Sequence, residues 1–512
     1  MQKFICIHGH FYQPPRENPW TGEVDEEKSA KPFHDWNERI VTECYEANTR
    51  APLLNPKGQV IARVNNFSKI SFDIGPTLLN WLRRKNPFTY NAIVEADRQS
   101  CLDHGGHGNA MAQIYNHIIM PLATRRDKIT QVIWGIRDFE FHYKRKPEGM
   151  WLSEAAVDRE TLKILYDNGI RFTILAPHQA KRVRHTGFGT RWEYIRNEAI
   201  NPRHPYRVVL DQGQMFHVFF YDAPVSRAIA FQGLLYNGDL LDQKLLNAFS
   251  RRGERSQLVS TATDGESFGH HHKFGEMAIA YAIKKIEDQK LAAITNYPEF
   301  LEKFGSHWEV DIVENSSWSC CHGVERWRSD CGCRIYYEKG WNQRWRAYLR
   351  DALDFLKEII DEIYEHETRA FLKDPWQARN DYISVMLDDS EPSKHAFLER
   401  NAKRKLLSHE AKKLWDLLEA EKFSLFMYTS CGWFFDDISG IEPVQLLKFA
   451  CRAMELAQPY YKKEIESRFL KILKHAKSNV PQQGNGADVF SNLAKPARDV
   501  KLDFTETTYD GL

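Results

Sequence analysis

The feature that most constrains the fold is an alternation of short apolar runs with helix-like stretches from residue 3 to about residue 304. Residues 4–7 and 257–263 are typical of buried strands, whereas residues 274–288 carry apolar side chains at helical spacing. Strands that alternate with helices over so long a stretch predict an α/β fold built on a parallel (β/α) barrel.

Other segments extend this alternation. Asp158 is a predicted helix N-cap, and Gly169 supplies the left-handed residue that ends the same helix. Further strands are predicted at residues 70–74, 131–134, 171–175 and 215–221, and a further helix at residues 76–84.

The chain has 512 residues, which is too long for one average core. Residues 1–305 are predicted to form the catalytic barrel, and residues 306–340 a cysteine-rich connecting segment. Apolar residues then recur at helical spacing among dense charges, which predicts an all-α domain at residues 341–480. Residues 481–512 lack periodicity and are predicted to be a loosely structured tail.

The charge balance excludes some partners. With 70 basic and 69 acidic residues, there is no electrostatic argument for nucleic acid or an anionic membrane as a partner. No apolar stretch approaches the roughly 20 residues that span a bilayer, and the N-terminus lacks a basic region and a cleavage site. Nine cysteines, an odd number, indicate reduced thiols. We therefore expect a cytoplasmic protein.

Two acidic residues, Glu154 and Asp264, each end an apolar run just before a helix. In an alternating chain, side chains at the carboxyl ends of strands gather at one mouth of the barrel. Two carboxyl groups that face each other there are the minimum for cutting a glycosidic bond. Glu266 is an alternative to Asp264 as the acid, but it lies two residues further on, where a turn would point it elsewhere.

Histidines and aromatic residues surround these carboxyl groups in the sequence. His8 and His10 close the first strand and point to the same side of it. Gln113 and His117 are four residues apart, which predicts one helical face. The run His270, His271 and His272 is interpreted either as metal ligands or as a solvated polar turn. Trp151 and Trp318 either line a sugar site or pack in the core.

Four thiols and an imidazole occur within residues 320–333. Cys320, His322, Cys331 and Cys333 can supply a tetrahedral zinc site with a structural role. Two alternatives remain: the thiols pack a loop as small buried side chains, or two of them form a labile disulfide.

Taken together, five segments resemble glycoside hydrolase family 57 over about the first 330 residues. Residues 149–154 (Gly-Met-Trp-Leu-Ser-Glu) and 264–269 (Asp-Gly-Glu-Ser-Phe-Gly) are similar to its third and fourth blocks, which are specific as a pair. Residues 8–14, with two residues between His10 and Gln13, resemble the first block, and residues 113–117 and 315–320 resemble the second and fifth.

The resemblance implies a seven-stranded incomplete barrel, a retaining mechanism on alpha-linked glucans, and no cofactor or catalytic metal. It places the nucleophile on Glu154 and the acid/base on Asp264. Contacts to an oligo- or polysaccharide substrate are expected from His8, His10, Gln13, His117, Trp151, Glu266 and Trp318. The helical remainder, with residues 426–436, resembles an uncharacterised C-terminal domain that is fused to one branch of the family.

Two other function classes stay open at the level of sequence. One is a metal-dependent polysaccharide deacetylase that uses His8, His10 and Asp264 as ligands. The other is a carbohydrate-binding protein that has lost turnover. Within the leading interpretation, no motif distinguishes hydrolysis from transfer to another sugar.

Overall fold

The structure is a computed structural model, and it describes residues 2–187, 189–251 and 256–499. Within these residues the chain folds into two compact units. The first unit comprises the described residues of 1–14, 27–325 and 372–403, and the second comprises those of 15–26, 326–371 and from 404 onward.

The strands lie in the first unit. They are β1 (Gln2–Phe11), β2 (Ala51–Leu54), β3 (Val60–Val64), β4 (Ser71–Ile74), β5 (Ala110–Gln113), β6 (Met150–Trp151), β7 (Phe172–Leu175), β8 (Ala180–His185), β9 (Glu193–Tyr194), β10 (Tyr206–Val209), β11 (Met215–Phe220), β12 (Ser256–Asp264), β13 (Ala293–Ile294) and β14 (Trp308–Ile312).

The α-helices occur in both units, joined by short helical turns and loops. They are α1 (Trp36–Ile40), α2 (Glu46–Thr49), α3 (Pro76–Lys85), α4 (Pro87–Asp103), α5 (Arg125–Tyr143), α6 (Arg159–Asp167), α7 (Ala223–Phe231), α8 (Gly238–Asn247), α9 (Gly275–Asp288), α10 (Tyr297–Phe304), α11 (Trp345–Thr368), α12 (Pro375–Asp381), α13 (Ile383–Leu387), α14 (Glu391–Asn401), α15 (Ser408–Phe426), α16 (Ile441–Ala457), α17 (Ile465–Leu473) and α18 (Gly486–Val489).

Parallel strands form an incomplete barrel, and β13 pairs in parallel with the N-terminal part of β1. Five of them pair in the order β12-β1-β4-β5-β6. A parallel bridge between Gly149 and Phe172 continues the array to β7, which pairs in parallel with β11. The strands β10, β14, β8 and β9 extend the sheet beyond β11, largely in antiparallel pairs. This architecture confirms the predicted α/β barrel class.

The barrel is built on β1, in which residues 5–11 are all buried. Parallel strands are covered on both faces, so a continuous apolar run is what such a strand requires. Gly9 and Gly265 lie against the ring of Phe11, where a Cβ atom would come within 2.6 and 2.4 Å of ring carbons. The ring therefore fixes the chain beside both His10 and Asp264.

Two local predictions are wrong. Residues 131–134 are not a strand but the middle of α5, whose first turn is capped by the side chain of Thr124. Their apolar side chains are buried on the inner face of that helix, and burial alone does not distinguish a helix from a strand. Gln113 and His117 do not share a helical face, because β5 ends at Gln113 and His117 adopts a left-handed conformation with φ of 54°.

Two segments belong to a different unit from the one that the sequence predicts. Residues 372–403, which contain α12 to α14, are part of the first unit, although the sequence groups them with the helical domain. Trp134 Nε1 donates to the carbonyl of Arg379, and Arg379 Nη1 lies 2.9 Å from Asp127 Oδ1. These bonds attach the segment to α5. Residues 15–26, predicted as barrel, belong to the second unit.

The second unit is a helical bundle in which α11 packs against α15, α16 and α17. Leu349, Leu353, Leu356 and Ile360 form the buried stripe of α11, as its helical periodicity predicts. The predicted loose tail is wrong for residues 485–499, because Asn485 caps α18 and Phe490 is fully buried. Residues 500–512 lie outside the described residues. Among the described helices, none is long and apolar enough to cross a membrane.

Candidate active site

The two predicted catalytic carboxyl groups lie at the carboxyl ends of barrel strands. Asp264 is the last residue of β12 and is paired in register with His10 of β1. Glu154 follows β6 by three residues, in a helical turn at residues 153–155. Because these strands are parallel, their ends meet at one edge of the barrel. The Glu154 carboxylate is close enough to contribute to the raised pKa of Asp264.

The backbone at Glu154 is unusual. Its φ is 57° and that of Ala155 is 49°, so two successive non-glycine residues occupy the left-handed region. That conformation costs free energy for residues with a Cβ atom, and such residues concentrate at functional sites. The sharp turn directs the Glu154 side chain to the barrel edge instead of letting β6 continue.

Two donors fix the Glu154 carboxylate. The hydroxyl of Ser319 donates to Oε2 over 2.6 Å, and the indole Nε1 of Trp318 donates to the same oxygen over 3.1 Å. The main-chain N–H of Trp318 also donates to the Glu154 carbonyl over 2.9 Å. These hydrogen bonds hold the carboxylate in one orientation. Ser319 was not predicted, although its position beside Trp318 was a signal.

The carboxyl group of Asp264 has a raised pKa. Burial raises its pKa to about 6, with further contributions from the Glu154 and Asp73 carboxylates, whereas the imidazole of His10 acts in the opposite direction. The residue is exposed at the barrel edge, although burial is the largest cause of its raised pKa. It can therefore carry a proton near neutral pH and still reach a ligand.

Glu266 has a different environment. Burial and the neighbouring Asp264 carboxylate raise its pKa to about 7. Its Oε1 accepts hydrogen bonds from the Tyr45 hydroxyl over 3.0 Å, the Tyr12 main-chain N–H over 3.1 Å and the Gln13 amide over 3.4 Å. Three donors on one oxygen hold this side chain in place.

Asp73 links the two strand histidines and was not predicted. Its Oδ1 accepts from His8 Nε2 over 3.1 Å and its Oδ2 accepts from His10 Nδ1 over 2.8 Å. Burial would raise the pKa of Asp73, but the two imidazoles lower it. The signal was its place near the end of a predicted strand, since a carboxylate on a buried strand requires a partner. Ser71 completes the network through His8 Nδ1 over 3.0 Å.

The imidazole rings of His10 and His117 lie against each other. Burial alone would lower the pKa of His10, but the Asp73, Asp264 and Glu266 carboxylates raise it. Burial and the charge of His10 lower the pKa of His117 well below its usual value. His10 Nε2 and His117 Nε2 lie 3.1 Å apart, within hydrogen-bonding distance. The ring of Tyr12 stacks on His117 with centroids 3.7 Å apart.

Two residues predicted to bind substrate are too deeply buried to do so. His8 and Trp151 both have an exposed fraction of 0%. Trp151 stacks against the rings of His8 and His10, at centroid distances of 5.1 and 4.9 Å. Its ring lies beneath that of His10, and its edge-to-face contact with Trp318 has ring centroids 5.0 Å apart. Trp318 is only partly buried and remains available to a ligand.

The three consecutive histidines do not converge on one point. His270 pairs with Glu43, and His272 Nε2 donates to the carbonyl of Ala230 over 3.0 Å. This arrangement favours the polar-turn interpretation over metal ligation. By contrast, the predicted cysteine site is brought together, since one ligand atom from each of Cys320, His322, Cys331 and Cys333 lies within 4.8 Å of the others.

Removing the Ser319 hydroxyl tests the support of Glu154. We expect Ser319→Ala to lower kcat by roughly 10- to 100-fold with little change in KM, because one hydrogen bond to a charged group is worth about 1.5–3 kcal/mol. Steady-state kinetics on an activated glycoside measure both constants. Ser319→Thr keeps the hydroxyl and should retain most of the activity. An unchanged kcat in the alanine variant would contradict this role.

Comparison with solved structures finds the same fold in several proteins. An exo-type maltose-forming amylase from Pyrococcus sp. ST04 is 17% identical, with a TM-score of 0.71, and the match covers 92% of this chain and 82% of that one. A 4-alpha-glucanotransferase from Thermococcus litoralis has a TM-score of 0.54 at 16% identity, covering 91% and 61%. A branching enzyme from Thermococcus kodakaraensis has a TM-score of 0.53 at 13% identity, covering 97% and 96%.

These structures show the fold, and a match to a family model shows the class, which is that of the glycosidases and glucan transferases. The model of glycosyl hydrolase family 57 matches residues 5–312, and the chain belongs to that family. A domain of unknown function (DUF3536) matches residues 341–504. A search of curated proteins found no match.

Proposed function

We propose that the protein is a retaining enzyme of alpha-glucans in which Glu154 is the nucleophile and Asp264 is the acid/base. The observation that carries this proposal is the pairing of Glu154, whose carboxylate accepts two hydrogen bonds, with an exposed Asp264 whose pKa is raised. A retaining mechanism needs one carboxylate to attack and one carboxylic acid to protonate the leaving group, about 5–5.5 Å apart.

In the first step, a Glu154 carboxylate oxygen bonds to the anomeric carbon while the glycosidic C–O bond breaks. Asp264 gives its proton to the departing oxygen, so the leaving sugar departs as a neutral alcohol. Ser319 and Trp318 hold the attacking carboxylate in one orientation, which reduces the entropic cost of reaching the reactive geometry.

In the second step, Asp264 acts as a base. It removes a proton from water or from a sugar hydroxyl, and that oxygen displaces Glu154 from the anomeric carbon. While Glu154 is esterified it carries no charge, so it no longer raises the pKa of Asp264. The pKa of Asp264 therefore falls, and its carboxylate can act as the base. Water as acceptor gives hydrolysis, and a sugar gives transfer.

Asp264 is a better candidate than Glu266 for the acid/base. Both carboxyl groups have a raised pKa. Glu266 is buried and receives three hydrogen bonds, whereas Asp264 is exposed at the barrel edge. Proton transfer to a ligand requires the acid to come within hydrogen-bonding distance of it. Glu266 instead positions Tyr12 and Gln13 next to the site.

Membership in the family supports glycoside cleavage, and the names of the similar structures favour alpha-glucans as the substrate class. An amylase, a 4-alpha-glucanotransferase and a branching enzyme share this fold. The partly buried rings of Trp318 and Tyr12 can face the apolar side of a glucose unit. Cytoplasmic location stays a prediction from the sequence.

The deacetylase alternative finds little support. Both ring nitrogens of His8 are engaged by Ser71 and Asp73, and both ring nitrogens of His10 are engaged by Asp73 and His117. A metal ligated by these histidines would have to displace those partners. Inactivation by a chelator with an unchanged melting curve, reversed by added zinc, would restore this alternative.

The proposed function is tested by incubating the full chain with maltoheptaose and separating the products by chromatography. Shorter sugars alone indicate hydrolysis, and longer sugars together with shorter ones indicate transfer. Cellohexaose serves as the matched beta-linked control and should remain intact. If neither substrate changes while the protein is folded, the proposal of an alpha-glucan enzyme is wrong.

A further inference from the structure

We propose that Cys320, His322, Cys331 and Cys333 bind one zinc ion that stabilises the loop behind the catalytic carboxylate. One ligand atom from each residue lies within 4.8 Å of every other. In a tetrahedral site with Zn–S bonds of about 2.3 Å, neighbouring ligand atoms lie about 3.8 Å apart. Small adjustments of the side chains therefore suffice to close four ligands around a metal ion.

The ligand types and their spacing suit zinc. Three thiolates and one imidazole are a common structural set, and all four residues come from one stretch of fourteen residues. The described residues contain no disulfide, so the sulfur atoms are thiols that can lose a proton to a metal. The chain offers the ligands as two pairs with one residue between the members, namely Cys320 with His322 and Cys331 with Cys333.

A buried arginine next to two of the thiols matches the charge of such a site. Three thiolates around Zn²⁺ leave a net charge of −1. The side chain of Arg346 is fully buried, its Nη1 donates to the Cys333 carbonyl over 2.8 Å, and its charge interacts with the Cys331 and Cys333 sulfurs. Partners of this kind around the ligands tune and orient a metal site.

The position of Cys320 indicates what the metal does. Cys320 directly follows Trp318 and Ser319, whose side chains donate to Glu154. The same loop is closed on itself, because Gly323 N–H donates to the Cys320 carbonyl over 3.1 Å and the Ser317 hydroxyl donates to the Gly323 carbonyl over 2.6 Å. A metal bonded to Cys320 would hold both Glu154 donors in place. This part rests on the proposed role of Glu154.

The first test is the zinc content of the purified full chain, measured by mass spectrometry of the elements. We expect about one zinc per chain in the wild type and a loss of at least tenfold in Cys331→Ser/Cys333→Ser. Cys321→Ser is the matched control, because Cys321 is exposed and outside the ligand set, although its sulfur lies 3.5 Å from His322 Nδ1. A wild-type protein without zinc would show that the proposed site does not exist. Loss of zinc in Cys321→Ser would show that the proposed set of ligands is wrong.

A second measurement avoids variants that fail to fold. Cobalt loaded into the wild type should show the strong visible absorption of tetrahedral thiolate ligation, and its absence would overturn the site. Zinc released by a mercurial reagent should lower kcat, with recovery after thiol and zinc are added. Release without a change in kcat would leave the metal site intact and exclude its support of Glu154. Because zinc content needs no substrate, it is judged separately from the glycosidase activity.

Discussion

Glu154→Ala is expected to abolish turnover, with kcat reduced by roughly a thousandfold or more. The variant removes the group that is proposed to bond to the anomeric carbon, and neither Trp318 nor Ser319 can replace it. The fold should persist, because Glu154 lies at the end of β6 and alanine is no worse than glutamate in a left-handed backbone conformation. Rates on an activated glycoside, with circular dichroism of the same sample, provide the measurement.

Rescue by added azide distinguishes the loss of a nucleophile from a general loss of folding or binding in Glu154→Ala. A small anion can enter the space left by the carboxylate, so added azide should restore part of the activity of Glu154→Ala and yield a glycosyl azide. Glu154→Gln fills that space and should not be restored, which makes it the matched control. Substantial activity of the alanine variant without azide would show that another residue is the nucleophile.

Asp264→Asn is the second variant with a large expected effect. Loss of a general acid costs roughly 10²- to 10⁴-fold, most strongly on substrates with poor leaving groups. On a glycoside whose leaving group needs no proton, the first step should be nearly normal and the glycosyl-enzyme should accumulate as a burst. Glu266→Gln is the comparison. If it, and not Asp264→Asn, shows this dependence on the leaving group, the assignment is reversed.

The pH dependence follows from the raised pKa of Asp264. In the proposed mechanism the protonated form of Asp264 is the acid, so wild-type kcat/KM should fall as pH rises through about 6. Asp264→Asn should lack this decrease on an activated substrate. The raised pKa of Asp264 also makes the folding stability depend on pH. A carboxyl group whose pKa is raised by folding contributes stability at low pH that is lost as pH rises through the folded value. The melting temperature of the variant relative to wild type should increase from about pH 4 to about pH 8.

Sequence reasoning identified the barrel class and the ends of β6 and β12 because a period-two or continuous apolar run followed by a polar residue is a local signal. It failed at residues 131–134, where a short apolar run is compatible with a strand or with the buried face of a helix. It also failed at His117, since nothing local signals a left-handed histidine after β5.

Sequence analysis predicted the two carboxyl groups and the histidines of the candidate site. It did not predict the residues that form hydrogen bonds with them. Asp73 and Ser319 act through contacts to His10 and Glu154 that connect residues 63 and 165 positions apart in the chain. Such contacts follow from the barrel closure and not from neighbouring residues. His8 and Trp151 were identified as site residues but assigned to the substrate, because sequence does not report the depth at which a side chain lies.

The left-handed backbone at Glu154 and Ala155 has a consequence for descent within this fold. Glycine and asparagine tolerate that conformation better than glutamate does, so selection for stability alone would favour them at position 154. Under the proposed role of Glu154 as nucleophile, selection for catalysis is what keeps glutamate at this position. A relative with the same fold and glycine or asparagine at this position is expected to be more stable, to bind sugars and to have no catalytic activity.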